Sequence, residues 1–227
     1  MNRKHSSERG NSILEFALVG SLFLVPMLAG SYSLGMSLVK ALQVGQVCRD
    51  ANILVVRNID LSQSGNQSLV VRTAAGLGMN VAGTNTPDPN GLGVLILSTV
   101  HRVSDNDCVA QGQNADSSCP NWHYYVFTRR IVIGNTAKLT SVMGNPGDTL
   151  ASDGTLTPAQ YILNTGNRAS GFPPISALNP GDAGANSGLV FLPQGTDAYI
   201  CEAAFDISAM NIFATPRMGI IYARHVS

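Results

Sequence analysis

Apolar and polar positions split the chain into an N-terminal stretch that is apolar all round and a C-terminal part in which the two alternate. Between residues 16 and 39 no residue is charged. A helix of that length spans ~36 Å, enough for a hydrocarbon core of ~30 Å with some tilt. Past Lys40 the pattern becomes that of an amphipathic stem. Ala41, Val44, Cys48, Ala51 and Val55 recur at helical spacing, while Gln43, Gln46, Arg49, Asp50 and Arg57 fall on other faces. This predicts one long helix that fades near residues 58–60, with a kink at Pro26 where a backbone donor is lost. After a polar break at residues 62–67, residues 69–78 read as a second, shorter helix stopped by glycine.

Beyond a turn-rich connector at residues 84–91 the period switches towards two, and strands are expected at 94–103, 123–133, 199–207 and 218–226. In the third of these, Tyr199, Cys201, Ala203, Phe205 and Ile207 share one face, with Glu202 and Asp206 on the other. The sheet is therefore expected to bury one side only. The predicted fold class is α+β: a long N-terminal helix packed on an antiparallel sheet of about four strands. A Gly/Pro-rich insertion occupies residues 144–188, where Thr157 is suited to cap a short helix starting at Pro158. The implied organisation is a basic leader (1–10), a transmembrane helix (11–40), an amphipathic stem with a second helix (41–81), and an α+β head (82–227).

Composition sharpens this picture. The 227 residues are 44% hydrophobic but only 12% charged, against roughly 25% charged in an ordinary soluble domain. Fourteen basic residues balance fourteen acidic ones, so there is no global field to attract a polyanion and nucleic acid is not an expected partner. Arg3, Lys4 and Arg9 against Glu8 make the N-terminal flank net positive. That flank stays cytoplasmic by the positive-inside rule, and the head lies on the far side of the membrane. A secretory signal cut within Leu28-Ala29-Gly30-Ser31 is the alternative. Glu15 speaks against it, because a carboxylate costs ~2.5–3.5 kcal/mol at the centre of an inserted helix, less near its end, and is usually functional there.

Four cysteines on the non-cytoplasmic side suit two disulfides, with three possible connectivities. Cys108 and Cys119 flank a polar hairpin loop between the first two predicted strands. Cys48 and Cys201 both face the presumed core, one on the stem and one on a strand, where they form a bridge or remain buried thiols. Neither the Cys nor the His spacing of a structural zinc site occurs. Asp105-Asn106-Asp107 with Asp116 lacks the Gly and the terminal Glu of a calcium loop. No nucleophile elbow, zinc-protease helix or phosphate-cradling loop is present. His101 and His123 fall on predicted strands and read as strand-face residues, a hydrolase built on either being the weaker alternative. Trp122, Tyr124 and Tyr125 form the densest aromatic group and read as core or sheet edge. The expectation is a protein without catalytic residues, metal or cofactor.

Gly10 followed by Asn11-Ser12-Ile13-Leu14-Glu15-Phe16 resembles the processing site of type IV prepilin-like proteins, a short basic leader, Gly, four residues, then Glu and an aromatic. More narrowly, residues 9–19 are similar to the start of TadE-like proteins, the minor pseudopilins of tight-adherence (Tad) pilus machinery, and residues 41–51 are similar to their Arg-bearing segment after the membrane. The resemblance implies cleavage by a prepilin peptidase after Gly10, which frees an α-amine at Asn11. Glu15, next to Phe16, would then partner such an amine on a neighbouring subunit. It further implies a single-pass protein of the inner (cytoplasmic) membrane with a periplasmic or extracellular head. Its partners would be the membrane, the peptidase, and other pilin-like subunits or Tad assembly proteins. Its work would be pilus biogenesis, adhesion or secretion rather than catalysis. The alternative is a signal-anchored extracytoplasmic binding protein unrelated to pili.

Overall fold

The computed structural model describes the backbone of residues 8–170, 172, 192–206 and 220–227, and side chains from Leu14 onward. Most of the leader, residues 171 and 173–188 of the insertion, Ile207 and Met218 lie outside the described residues. So does the side chain of Asn11.

A single helix, α1 (Glu8–Val56, 49 residues), runs through Pro26 without ending. A helix of this length measures roughly 73 Å. Residues 14–43 are nowhere buried, whereas Val44, Val47, Cys48, Ala51, Asn52 and Val55 form a buried stripe at three- and four-residue steps. Ala41, expected in that stripe, is exposed because it precedes the first buried position, Val44. The Lys40 ammonium donates to the Gly76 carbonyl at this upper margin of the head. Asn52 joins the stripe despite its polarity. Its amide donates to the Tyr199 carbonyl (3.0 Å) and to Ser227 Oγ (2.9 Å), fastening the stem to two strands.

The second helix, α2 (Ser64–Thr73), starts earlier than the apolar pattern indicates. The residues read as a polar break form its approach and first turn, because their side chains satisfy local carbonyls. Asn66 donates to the Asp60 carbonyl and Gln67 to the Leu61 carbonyl, while Leu61 itself is fully buried. A 3-10 turn (Ala75–Leu77) follows and stops at Gly78, whose φ of 74° is readily available only to glycine.

Four antiparallel strands form one sheet: β1 (Gly93–Arg102), β2 (Tyr125–Gly134), β3 (Asp197–Asp206) and β4 (Ile220–Val226), in the order β2-β1-β3-β4. The class is α+β. Between β1 and β2, where a plain hairpin loop was expected, Ser104 caps a short helix, α3 (Asp105–Ala110), with Asp107 closing a capping box. His123, expected on the second strand, precedes β2 and sits at φ 63°. Thr157 caps α4 (Pro158–Leu163) as the sequence indicates, again with a capping box through Gln160.

The expectation of a sheet buried on one side is overturned. One face carries Leu95, Leu97, Ile131, Ile133, Cys201, Ala203 and Phe205 under α1 and α2. The other carries Val94, Ile96, Val100, Phe127, Ile200 and Ala204, packed against Leu139, Met143 and Leu156 from the segment after β2. The head thus has three layers. Glu202, expected on a solvated face, is fully buried there. It accepts from Ser141 Oγ, from the Val142 amide (2.9 Å) and from Tyr222 Oη (3.0 Å). Arg130 is 5% exposed. It donates to Ser98 Oγ (3.1 Å), Ser141 Oγ (2.9 Å) and the Gly144 carbonyl (2.6 Å). A charge of each sign enters this layer with its hydrogen bonds satisfied, the condition for tolerating either.

Candidate functional site

Leu14, Phe16, Leu18, Leu22, Phe23, Val25, Met27, Leu28, Leu34 and Leu38 are all exposed on α1, Phe16 by 81%. The span is long and apolar enough to cross a membrane, and no part of its most apolar stretch is buried against the head. Three of the serines along it are internally satisfied. Ser21, Ser31 and Ser37 donate to the carbonyls of Leu18, Met27 and Ser33 at 3.0, 2.9 and 2.9 Å. This is the state a hydroxyl needs in lipid, where no water serves as acceptor. Glu15 is exposed on the first turns of the shaft with Phe16 beside it. The backbone of α1 is continuous through Gly10 and Asn11.

The shaft is tied to the head covalently. Cys48 is bonded to Cys201 on β3, 153 residues later. The second bridge, Cys108 to Cys119, ties α3, in which Cys108 lies, to the loop that precedes β2. Of the three possible connectivities this is the one in which the stem and sheet cysteines pair with each other. The shaft is therefore joined to the middle of the sheet by a covalent bond as well as by packing.

At the far end of the sheet lie the residues weighed for catalysis. His101 Nδ1 is 2.8 Å from Asp197 Oδ1 and its Nε2 is 3.0 Å from Asp107 Oδ2. Burial alone would push its pKa down from 6.5, but the hydrogen bonds and charges of Asp197 and Asp107 outweigh burial and raise it. Both ring nitrogens are occupied, so the ring serves as a clamp between α3 and β3. His123 does not meet His101 in a pair. Its ring stacks on Trp122 at 4.0 Å; Trp122 Nε1 donates to Asp105 Oδ1 at 2.7 Å, and His123 Nε2 lies 3.0 Å from the same oxygen and 2.8 Å from Gln194 Nε2. These bonds, Trp122 first, hold the Asp105 carboxyl below its usual range. Tyr125 is buried against Phe172 at 4.4 Å, while Arg168 sits over the Tyr124 ring.

The acidic run considered for calcium is divided among separate partners. Asp105 serves the Trp122 and His123 rings, Asp107 the cap of α3 and His101, and Asp116 the Ser118 amide at 2.8 Å. Among the described residues no group of three or more His, Cys, Asp or Glu side chains is arranged to hold a metal ion. The contact of His101 with Asp197 and the sharing of Ser141 Oγ by Arg130 and Glu202 are not carried by any spacing in the sequence. A lone Glu inside an otherwise apolar strand was the available signal for the second. No family model, curated protein or solved structure matches this chain.

Proposed function

We propose that the protein is a membrane-anchored, pilin-like assembly subunit of the TadE type, cut after Gly10 and carrying its head on the periplasmic or extracellular side. The observation that supports this best is the long, apolar and unburied shaft with one carboxylate, Glu15, at its N-terminal end. Such a surface is stable only against lipid or other helices. A carboxylate there gains most from a cationic partner that enters the same low-dielectric layer, and the α-amine freed at Asn11 of a neighbour is one. The work done is association: Glu15 docks, the shaft packs laterally, and the disulfide-tied head selects partners.

Determining the N-terminus of the protein isolated from its native membrane tests the proposal. A chain starting at Asn11 with the shaft retained is expected. An intact leader, or a chain starting near Ser31, would overturn it, the latter leaving an exported globule. Glu15→Leu should abolish cross-linking into higher assemblies while leaving membrane insertion intact.

A further inference from the structure

The helix-bearing face of the sheet is covered by α1 near its middle and by α4 near its far end, and a cleft of about 350 Å3 separates the two. Val55 of α1 and Asn58 just beyond its end form one wall, and Leu156, Pro158 and Tyr161 the other. Thr99, Thr128, Arg129 and Tyr199 of the strands form the floor, with Thr155 at the margin. Small-molecule sites run from about 300 to 1,000 Å3, so the space suits a small ligand.

Three observations indicate that this gap is built rather than left over. Along β1 the residues facing the helices are Leu95, Leu97 and then Thr99, which is itself 9% exposed and lines the floor of the cleft. The sheet turns from aliphatic to hydroxyl-bearing where the cleft begins. The ladder also changes register there: Thr99 pairs with Arg129 and Val100 with Phe127, so Thr128 is the extra residue of a bulge. Bulges re-aim a side chain, and here they bring Thr128 into the lining. Finally, neither phenol oxygen, of Tyr161 or of Tyr199, is hydrogen-bonded to another described residue, although both rings are half-buried. A tyrosine set this way presents an apolar plate and an unused polar tip.

We propose that this cleft is a binding site for a neutral saccharide of one or two rings. The tyrosine faces would lie against the ring's C–H surfaces, and the Thr99, Thr128, Tyr161 and Tyr199 hydroxyls and the Asn58 amide would bond its hydroxyls. Charge argues for a neutral ligand. Among the described residues the cation in the lining is Arg129, which is ion-paired with Asp60 and donates to the Asp153 carbonyl at 3.1 Å. An acidic sugar would have to displace that pair. The donors are also pre-organised: β-branched threonines on strands and tyrosines with two torsions lose little freedom on binding. This assignment stands apart from the anchor and its processing, since of α1 only Val55, in its head-packed end, takes part.

The test uses the full chain in lipid nanodiscs free of sugar detergent. Glucose, galactose, mannose, N-acetylglucosamine and their disaccharides are titrated, with glucuronate and N-acetylneuraminate as acidic controls. Saturable binding of a neutral sugar is expected. Tyr199→Phe should weaken it about tenfold without changing the melting temperature, and Thr128→Val, which also removes the bond from Thr128 Oγ1 to the Thr99 carbonyl (3.3 Å), should weaken it by a similar factor. Threonine-methyl NMR of the unaltered protein needs no variant. Sugar should shift Thr99, Thr128 and Thr155 and leave Thr84, Thr86 and Thr136 in place. No neutral sugar bound, binding confined to the acidic sugars, shifts elsewhere, or full affinity in both variants would each overturn the proposal.

Discussion

Cys48 and Cys201 lie 153 residues apart in sequence and 5.6 Å apart between Cα atoms, so the first helix and the third strand are one covalent unit. Neither element alone has a reason to hold the other at that point. Helix α1 presents a narrow buried stripe, from Val44 to Val55, to the sheet.

Removing this bridge should therefore be the costliest disulfide change in the molecule. Closing a longer loop restricts the unfolded chain more, and the Cys108–Cys119 bridge spans a sequence separation of only 11. The paired change Cys48→Ser with Cys201→Ser should cost about 2–5 kcal/mol, and Cys108→Ser with Cys119→Ser less. Denaturant unfolding of the three proteins in nanodiscs ranks them, and a larger loss from the second pair refutes the ordering. A thiol count on the unfolded, unreduced chain should read zero.

Glu202 and Arg130 share the layer opposite α1, and the charge of Glu202 supports the Arg130 guanidinium. Burial lowers the arginine's pKa to about 10, and Glu202 raises it only in part. Glu202→Gln should leave that guanidinium underbalanced and cost about 3–5 kcal/mol. Adding Arg130→Met should recover part of the loss. A double-mutant cycle by urea unfolding reads the coupling, and strictly additive effects would show that the two charges do not support each other.

His101 makes the head's stability pH-dependent in a stated direction. Its folded pKa is raised above 6.5, so its contribution is fully present below the unfolded value and is lost as pH rises through the folded one. Asp107 has the opposite sense. Burial pushes its pKa up, but His101 and Ser104 together hold it below 3.8, so its contribution is lost only as pH falls through that depressed value. The clamp is strongest between the two. The melting temperature should decline above neutral pH, and His101→Gln should flatten that decline. An NMR titration placing the His101 pKa at or below 6.5 would contradict it.

Gly93 opens β1 directly against Phe205. A β-carbon at Gly93 would lie 2.2 Å from the Phe205 ring, which is fully buried and has little room to retreat. Gly93→Ala should destabilise by about 1–3 kcal/mol through overpacking. Combined with Phe205→Leu it should cost less than the sum of the two changes, because the smaller side chain leaves room for the new methyl. Thermal unfolding checks this, and an additive result would mean that the strand shifts instead.

What the sequence determined by itself was whatever depends on short-range pattern. An uncharged run between residues 16 and 39 is a lipid-length helix in any context, and Val44, Cys48, Ala51 and Val55 mark its packed face by spacing alone. Thr157 followed by Pro158 caps a helix for local reasons, and alternation in β3 assigns Cys201 to the same face as Phe205. Tertiary structure decided what depends on distant partners. Whether the face bearing Glu202 meets water or protein turned on the segment from Leu139 to Leu156, whose side chains show no period. Asn66 and Gln67 entered a helix because carbonyls lay within their reach. His123 left its predicted strand for a stack on Trp122 over Asp105. Periodicity records which way a side chain points, whereas burial of a polar group depends on hydrogen-bond partners that the fold brings from elsewhere in the chain.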